Sequence, residues 1–187
     1  MISILIPSKN EPKVHYVIEL CEAYFPNSQI IVCNDRYGQG KGWAIRKALE
    51  YAKGDFIVFI DADGDINPRM IRRLIPFIID YDIVVGKKEV RGMFSRKVIT
   101  ILSRFVIKVL FGIGVQTQTG VKLFRRDALS TWESDSFAFD IEILHKAKKE
   151  GKKIINIPID ADITRKMKLS SIWKTLVDVI KIWRYRK

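Results

Sequence analysis

Short apolar runs alternate with segments of helical periodicity through the first half of the chain. The runs that predict strands are Ile2 to Ile6, Gln29 to Cys33, Asp55 to Ile60 and Asp82 to Gly86. The segments between them that predict helices are Lys13 to Tyr24, Trp43 to Ala52 and Pro68 to Ile79. Strands that are apolar almost throughout and alternate with helices indicate a parallel sheet covered on both faces. The pattern therefore predicts an α/β fold with a mainly parallel sheet flanked by helices.

The second half of the chain is more basic and less regular, but it continues the same fold class. The VKLF run that begins at Val121 and the KIINIPI run that ends at Ile159 predict further strands, and Ala138 to Glu150 predicts a helix. No repeat, low-complexity tract or linker divides the chain. At 187 residues it is long enough for one sizeable core, so residues 1–187 are predicted to form a single domain.

Three acidic residues at alternate positions, Asp61, Asp63 and Asp65, follow the strongest of the predicted strands. Alternate residues of an extended chain point the same way, so these carboxylates can converge on one cation. Hard oxygen ligands of this kind favour Mg²⁺ or Mn²⁺. The alternative is a solvated turn in which Asp65 or Asn67 caps the next helix. Ligands of parallel sheets bind beyond the carboxyl ends of the strands, which favours the metal site.

A glycine-rich segment, GQGKG from Gly38 to Gly42, opens the second predicted helix. Glycines at a helix N-terminus let the backbone approach a phosphate, and Lys41 would add positive charge. The segment is not a Walker A motif, because the upstream glycine spacing and the Ser or Thr after the lysine are missing. An ordinary glycine loop explains it equally well.

The net charge of +12 favours anionic partners such as nucleic acid, phosphorylated small molecules or an anionic membrane. Basic and apolar residues interleave over about residues 93–113 and 169–187, which predicts amphipathic helices at a membrane interface. The alternatives are core helices or a docking face for a separate membrane-anchoring subunit. Nucleic-acid binding is disfavoured, since no helix-turn-helix, RRM or KH signature is present. The two cysteines and two histidines show no metal-ligand or nucleophile spacing.

Several motifs in order carry a resemblance to a known family. They are IPSKNE, IIVCND, GQGKGWAIRKAL, GDFIVFIDADGD, QTQTGVKLFRR and FAFDIEIL. From Ile2 to about Leu169 the chain resembles the family 2 glycosyltransferases of GT-A (Rossmann-like) fold, and within them the enzymes that make polyprenyl or dolichyl phosphate sugars. The resemblance implies a nucleotide sugar donor, a polyprenyl or dolichyl phosphate acceptor, and a cytoplasmic, peripheral location on the face of a membrane.

The resemblance also implies roles for individual residues. Those implied to bind the nucleotide are Pro7, Asn10, Glu11, Asp35 and Lys41. Asp61 and Asp63 match the metal-binding DxD motif, with Asp65 as a further ligand. The catalytic residues that the resemblance implies are Asp63, Arg125, Glu142 and Arg165. Those implied to lie near the acceptor phosphate or the sugar are Gly120, Lys122, Arg125 and Glu142. Those implied to close over the diphosphate, from a shortened late loop, are Arg165, Lys168 and Ser170. The chain departs from the family in its short connection after Asp35 and in Gln116, where this branch usually has Asp.

The reaction implied is a single inverting displacement, in which a lipid phosphate oxygen attacks the anomeric carbon of the sugar. An ionised phosphate needs no general base; for a hydroxyl acceptor, Asp140 or Glu142 would be the natural base. The segment QTQTGVKLF resembles the glucosyl enzymes, whereas DADGD and the late basic loop resemble the mannosyl ones. The expectation is therefore GDP-mannose as donor, with UDP-glucose as the alternative.

Overall fold

The computed structural model describes residues 1–88, 106–117, 119–136 and 138–161, together with Ile180 and Trp183. Three predicted site residues, Arg165, Lys168 and Ser170, lie outside the described residues, as does most of the two predicted interface segments.

Six strands form one sheet. They are β1 (Ile2–Ser8), β2 (Gln29–Asn34), β3 (Phe56–Ile60), β4 (Ile83–Lys88), β5 (Val121–Arg125) and β6 (Ile154–Ile159). Their order across the sheet is β2-β1-β3-β5-β4-β6. Every pairing is parallel except the two that involve β5, which runs antiparallel to both β3 and β4. The predicted α/β fold with a mainly parallel sheet is confirmed.

Helices connect these strands. They are α1 (Val14–Tyr24), α2 (Lys41–Leu49), α3 (Ile71–Leu74), α4 (described over 106–111) and α5 (Phe139–Lys149). The predicted helix from Pro68 to Ile79 is wrong in detail, because only α3 within it is α-helical. Tighter 3₁₀ turns at Pro68–Met70 and Ile75–Ile79 flank α3. Pro76 lacks the N–H that would continue the α-helical hydrogen bonding, so the α-helix ends there.

Hydrophobic layers cover both faces of the sheet. Ile57 and Phe59 of β3 pack into the layer formed with α2, α4 and α5. The alternate residues Val58 and Ile60 pack on the other face, against α1 and α3. All four side chains are at most 2% exposed. Burial on both faces explains why this strand is apolar at every position rather than at every second one.

The strand directions determine where polar side chains meet. Five strands are parallel, so their carboxyl ends lie at one edge of the sheet, together with the amino end of the antiparallel β5. We call this the carboxyl edge, and its residues follow β1, β2 and β3 and precede β5. Within the described residues, the helices are all too short or too polar to cross a bilayer.

Candidate active site

Asp61, the first residue after β3, is held at the centre of the carboxyl edge. Its backbone N–H donates to the carbonyl oxygen of Gly120 at 2.9 Å. Its Oδ1 lies 2.6 Å from Nζ of Lys41, which belongs to the first turn of α2. A Cβ at residue 120 would lie 2.5 Å from Oδ2 of Asp61, so only glycine leaves room for this carboxylate. Asp61 is therefore fixed between α2 and β5.

The pair of Asp61 and Lys41 is ionised. Burial alone would raise the pKa of Asp61, but the adjacent Lys41 ammonium, together with Lys88 and Lys122, lowers the pKa below its ordinary value. Burial alone would lower the pKa of Lys41, and Asp61 together with Asp140 raises it above the ordinary value instead. The Lys41 ammonium also lies 5.8 Å from the centre of the Phe139 ring, a distance that allows a cation–π contact.

A second ion pair lies beside the first and is more deeply buried. Nζ of Lys122 on β5 lies 2.9 Å from Oδ1 of Asp140 on α5, and the two side chains are 1% and 4% exposed. Lys122 also donates to the carbonyl oxygen of Thr119 at 2.8 Å. Burial lowers the pKa of Lys122 and raises the pKa of Asp140, in each case more than the partner charge restores it. Two lysines and two aspartates thus form one compact cluster of alternating charge.

Asp63 and Asp65 do not converge with Asp61 as predicted. Oδ1 of Asp63 accepts a hydrogen bond from the backbone N–H of Asp65 at 3.1 Å, and the Asp65 side chain is buried. Burial, with the nearby Asp61 charge, raises the pKa of Asp63. In the part of the chain that the structure describes, no three His, Cys, Asp or Glu side chains are grouped to hold a metal ion. The turn after β3 therefore supplies a chelating pair at most.

Two carboxylates still suit a magnesium-type site. Mg²⁺ is commonly bound in proteins by one or two carboxylates, with substrate phosphates and water completing its shell. Asp61 and Asp63 are close enough for the charge of one to raise the pKa of the other. Lys41 occupies one oxygen of Asp61, so a cation bound there would share this carboxylate with Lys41. The residues fit a divalent ion that a diphosphate helps to hold.

The GQGKG segment does not form an open phosphate cradle. Asp35 accepts hydrogen bonds from the backbone N–H groups of Gln39 and Gly40, both at 2.8 Å. Gly42 donates its N–H to the carbonyl oxygen of Asp135 at 2.9 Å. A Cβ at Gly40 or Gly42 would collide with the backbone of residues 134–135. The glycines admit a segment of the chain itself, which favours the alternative of an ordinary glycine loop.

Asp35 is committed to that loop. Burial would raise its pKa, but the backbone N–H groups of Gly40, Gln39 and Gly38 hold the pKa below the ordinary value. The side chain is 3% exposed. Asp35 therefore holds this loop closed at the carboxyl edge. The nucleotide-binding role that the resemblance implies for Asp35 stays a prediction.

The predicted residues of the first strand reach the same edge. Pro7 lies in β1 opposite Cys33 of β2, and Asn10 and Glu11 follow the strand. Asn10 has a φ of 49°, a left-handed conformation that asparagine tolerates better than most residues. The structure therefore brings these three residues to the end of the sheet that carries Asp35 and Asp61.

Two other predicted residues have different surroundings from those expected. Arg125 pairs with Phe56, the first residue of β3, so it lies at the opposite edge of the sheet from Asp61. Its guanidinium donates to the carbonyl oxygens of Ile78 and Ile79, and a catalytic role for Arg125 is inconsistent with this position. Glu142 accepts hydrogen bonds from the backbone N–H groups of residues 133 and 134, and so anchors the segment that covers α2.

The Lys122–Asp140 pair is the feature that the sequence interpretation missed. Lys122 interrupts the otherwise apolar VKLF strand, and Asp140 interrupts the apolar start of FAFDIEIL. A buried charge needs a partner of opposite sign, so two such interruptions in core elements are a signal that the residues meet. Trp132 was also missed. It is 4% exposed, and its Nε1 donates to the carbonyl oxygen of Gly42 at 3.1 Å.

Comparisons with known proteins identify the family of this chain. The profile of Glycosyl transferase family 2 matches residues 15–133. A dolichyl-phosphate beta-glucosyltransferase of Trichomonas vaginalis is 30% identical over 190 residues, covering 90% of this chain and 57% of the relative. An undecaprenyl-phosphate mannosyltransferase of Micrococcus luteus is 25% identical over 174 residues, covering 72% of each chain. This chain thus spans little more than half of the first of these relatives.

The solved structures extend the comparison to the fold. A glucosyl-3-phosphoglycerate synthase of Mycobacterium tuberculosis, in complex with Mn²⁺ and UDP-glucose, superimposes with a TM-score of 0.78 at 18% identity. The match covers 96% of this chain and 76% of the synthase. At this identity the likeness concerns the fold, and it confirms the GT-A architecture.

Proposed function

This chain belongs to glycosyl transferase family 2, and on that basis we propose that it transfers a hexose from a nucleotide sugar to a polyprenyl phosphate. The family confirms the resemblance drawn from the sequence motifs. The observation that carries the activity is the charge cluster at the carboxyl edge, where Asp61 and Asp63 follow β3 beside two lysines. Such a cluster suits a substrate that brings both a cation and a diphosphate.

In this proposal Asp61 and Asp63 hold Mg²⁺ or Mn²⁺ against the diphosphate of the donor. A bound divalent ion would offset the negative charge that grows on the departing nucleoside diphosphate. Lys41 lies beside the same carboxylate and adds a second positive charge there. Because Asp61 and Phe139 hold Lys41 in place, its charge is preorganised, which is the main electrostatic requirement for such a site.

The phosphate acceptor is favoured over a hydroxyl acceptor by the state of the two candidate bases. Asp140 is paired with Lys122 in the interior, and Glu142 accepts two backbone N–H groups. A hydroxyl nucleophile would need one of them to take up a proton, whereas an ionised phosphate oxygen attacks the anomeric carbon directly. The bond from that carbon to the nucleoside diphosphate breaks in the same step.

Two donors are candidates. GDP-mannose follows from the resemblance of the DADGD motif to the mannosyl enzymes. UDP-glucose is favoured by the relative at 30% identity, which is named a glucosyltransferase.

A lipid acceptor further requires the chain to work at a membrane surface. Val109 of α4 is 65% exposed and Trp183 is 48% exposed, which leaves apolar side chains for such contact.

The direct test is transfer of labelled hexose from each donor to a polyprenyl phosphate in detergent, with Mn²⁺ and with a chelator. Asp63→Asn is the informative variant, since it leaves the Asp61–Lys41 pair intact. We expect it to lower turnover by roughly 100-fold, a typical effect of removing one electrostatic group from an active site. Asp80→Asn is the matched control, because Asp80 is exposed and lies before β4, at the opposite edge of the sheet.

Each result has a definite reading. Chelator-sensitive transfer with one donor, lost in Asp63→Asn and kept in Asp80→Asn, supports the proposal and identifies the sugar. Transfer that survives both the chelator and Asp63→Asn would remove the metal from the mechanism. No transfer with either donor, together with no thermal stabilisation by GDP or UDP, would refute the activity itself.

A further inference from the structure

A cavity away from the carboxyl-edge cluster is lined by three arginines. They are Arg69, Arg72 and Arg73, and Met70 and Asp160 complete the lining. The cavity has a volume of about 360 Å³, within the range of small-molecule sites. It shares no residue with the cluster around Asp61. Three guanidinium groups face one carboxylate, so the cavity carries an excess of positive charge.

The local fold forces the arginines together. Ile71 and Leu74 of α3 are fully buried against the sheet. Residues 69, 72 and 73 stand at helical spacings of three and four, so they share the opposite, outward face. Like charges at these spacings repel one another. An anion among them would remove the repulsion.

Two of the arginines are already held in position. Arg72 donates to the carbonyl oxygen of Tyr24 at 3.1 Å, and its guanidinium lies 5.3 Å from the centre of the Tyr24 ring and 5.9 Å from that of Phe25. Arg73 pairs with Asp160 at 3.1 Å. These contacts fix the side chains before any ligand arrives, which lowers the entropy lost on binding.

The third arginine is available to a ligand. The backbone N–H of Arg69 donates to Oδ1 of Asn67, which fixes the turn from which the side chain projects. In residues 1–88 and the other described ranges, no ion pair or hydrogen bond of the Arg69 guanidinium is found. Among the described residues, its donors are therefore not used by the protein itself, and the side chain lines the cavity.

We propose that this arginine pocket binds a phosphoryl group. The planar fork of a guanidinium matches the spacing of phosphate oxygens and binds them in pairs, which a compact ammonium cannot do. Asp160 offsets part of the positive charge and anchors Arg73. The pocket therefore offers the guanidinium of Arg69 together with the prepositioned guanidinium groups of Arg72 and Arg73. The phosphoryl group has two sources, a soluble phosphate compound or a phospholipid headgroup. The inference does not depend on the proposed function.

The test begins with inorganic phosphate and glycerol 3-phosphate, titrated calorimetrically into the full chain at low salt without divalent cations. Omitting the cations removes metal-assisted phosphate binding at Asp61. The double variant Arg69→Gln/Arg73→Gln removes two forks and leaves the stacked Arg72 in place. We expect at least roughly tenfold weaker association, since charge-assisted hydrogen bonds are lost. Lys53→Gln, an exposed cation before β3, is the matched control and should bind like the wild type.

Vesicles distinguish the two sources. Flotation with phosphatidylglycerol vesicles, against phosphatidylcholine vesicles, is measured with and without glycerol 3-phosphate. Binding to free phosphate that the double variant loses supports the pocket and a soluble ligand. If the wild type binds the vesicles, glycerol 3-phosphate does not displace it and only the double variant loses this binding, the pocket is supported and the ligand is a lipid headgroup. If the double variant matches the wild type in both arms, or the wild type binds neither probe, the proposal is overturned.

Discussion

Replacing Asp140 by leucine should expose the energetic importance of the buried pair with Lys122. Both side chains are almost fully buried, at 4% and 1% exposure, and their charged atoms are 2.9 Å apart. Asp140→Leu leaves an ammonium in the interior without a carboxylate, which typically costs about 3–5 kcal/mol. The alternative to burying an unpaired charge is to deprotonate Lys122, and the free energy of that step gives an independent value of the same size. Neutralising a lysine of ordinary pKa at pH 7 requires about 5 kcal/mol, because each pKa unit corresponds to about 1.4 kcal/mol.

The prediction has a pH signature that a simple packing defect lacks. In the variant, the folded state holds Lys122 neutral or nearly so, while the unfolded state binds its proton up to about pH 10. The unfolded state then binds more protons, so stability must rise as the pH rises. We expect Asp140→Leu to recover about 2–3 kcal/mol between about pH 7 and about pH 9. Urea unfolding followed by circular dichroism measures this directly.

The double variant Lys122→Met/Asp140→Leu completes a double-mutant cycle with the single variants Asp140→Leu and Lys122→Met. It removes both charges and keeps apolar volume, so its free energy of unfolding should return to within about 2 kcal/mol of the wild type. Its pH dependence should disappear as well. Neutralising the exposed Lys47–Glu50 pair is the control and should change stability little. A double variant as unstable as the sum of the two single variants would refute the reasoning, because the pair would then not be coupled.

Three further predictions concern α2, the loop that precedes it and the segment that packs against it. Gly42→Ala places a methyl group on the carbonyl oxygen of Ser134 and should lower the free energy of unfolding by about 1–3 kcal/mol in a melt, whereas Gly114→Ala enters open space and should stay within about 0.5 kcal/mol. The lowered pKa of Asp35 means that its stabilisation is complete above the unfolded value and is lost as the pH falls through the folded value. Asp35→Asn should therefore flatten acid unfolding below about pH 4. Glu142→Gln should speed hydrogen exchange of the two backbone amides that this carboxylate holds, measured by mass spectrometry.

The strand positions were predictable from sequence because burial on both faces leaves a continuous apolar run. Val58 and Ile60 face one layer and Ile57 and Phe59 the other, so no polar alternation interrupts the pattern. The direction of β5 was not predictable, because VKLF is apolar in the same way whichever way the strand runs. Direction decides that Gly120 lies at the carboxyl edge and Arg125 at the opposite one. The misplaced catalytic role of Arg125 follows from that single unknown.

Site residues that come directly after a strand were predictable from the sequence. Site features that depend on contacts between distant segments were not. Asp35 and Asp61 each follow a strand, and parallel strands place such residues at one edge. The surroundings of the glycine-rich segment depend on residues about ninety positions later in the chain, which pack directly against Gly40 and Gly42. Only the folded chain shows that Asp135 rather than a ligand accepts the N–H of Gly42.

The insertion of β5 between β3 and β4 also determines when the site comes into being during synthesis. Strand β1 pairs with β2 on one side and with β3 on the other, so these three strands can assemble as soon as the first 60 residues have left the ribosome. The outer side of β3 then stays unpaired until residues 121–125 emerge, although β4 precedes them in the chain. Asp61 acquires Gly120 in that same late step. A nascent chain that stalls before β5 therefore exposes the unpaired, aggregation-prone edge of β3. Chaperone contact with this protein should be concentrated between the synthesis of β3 and that of β5.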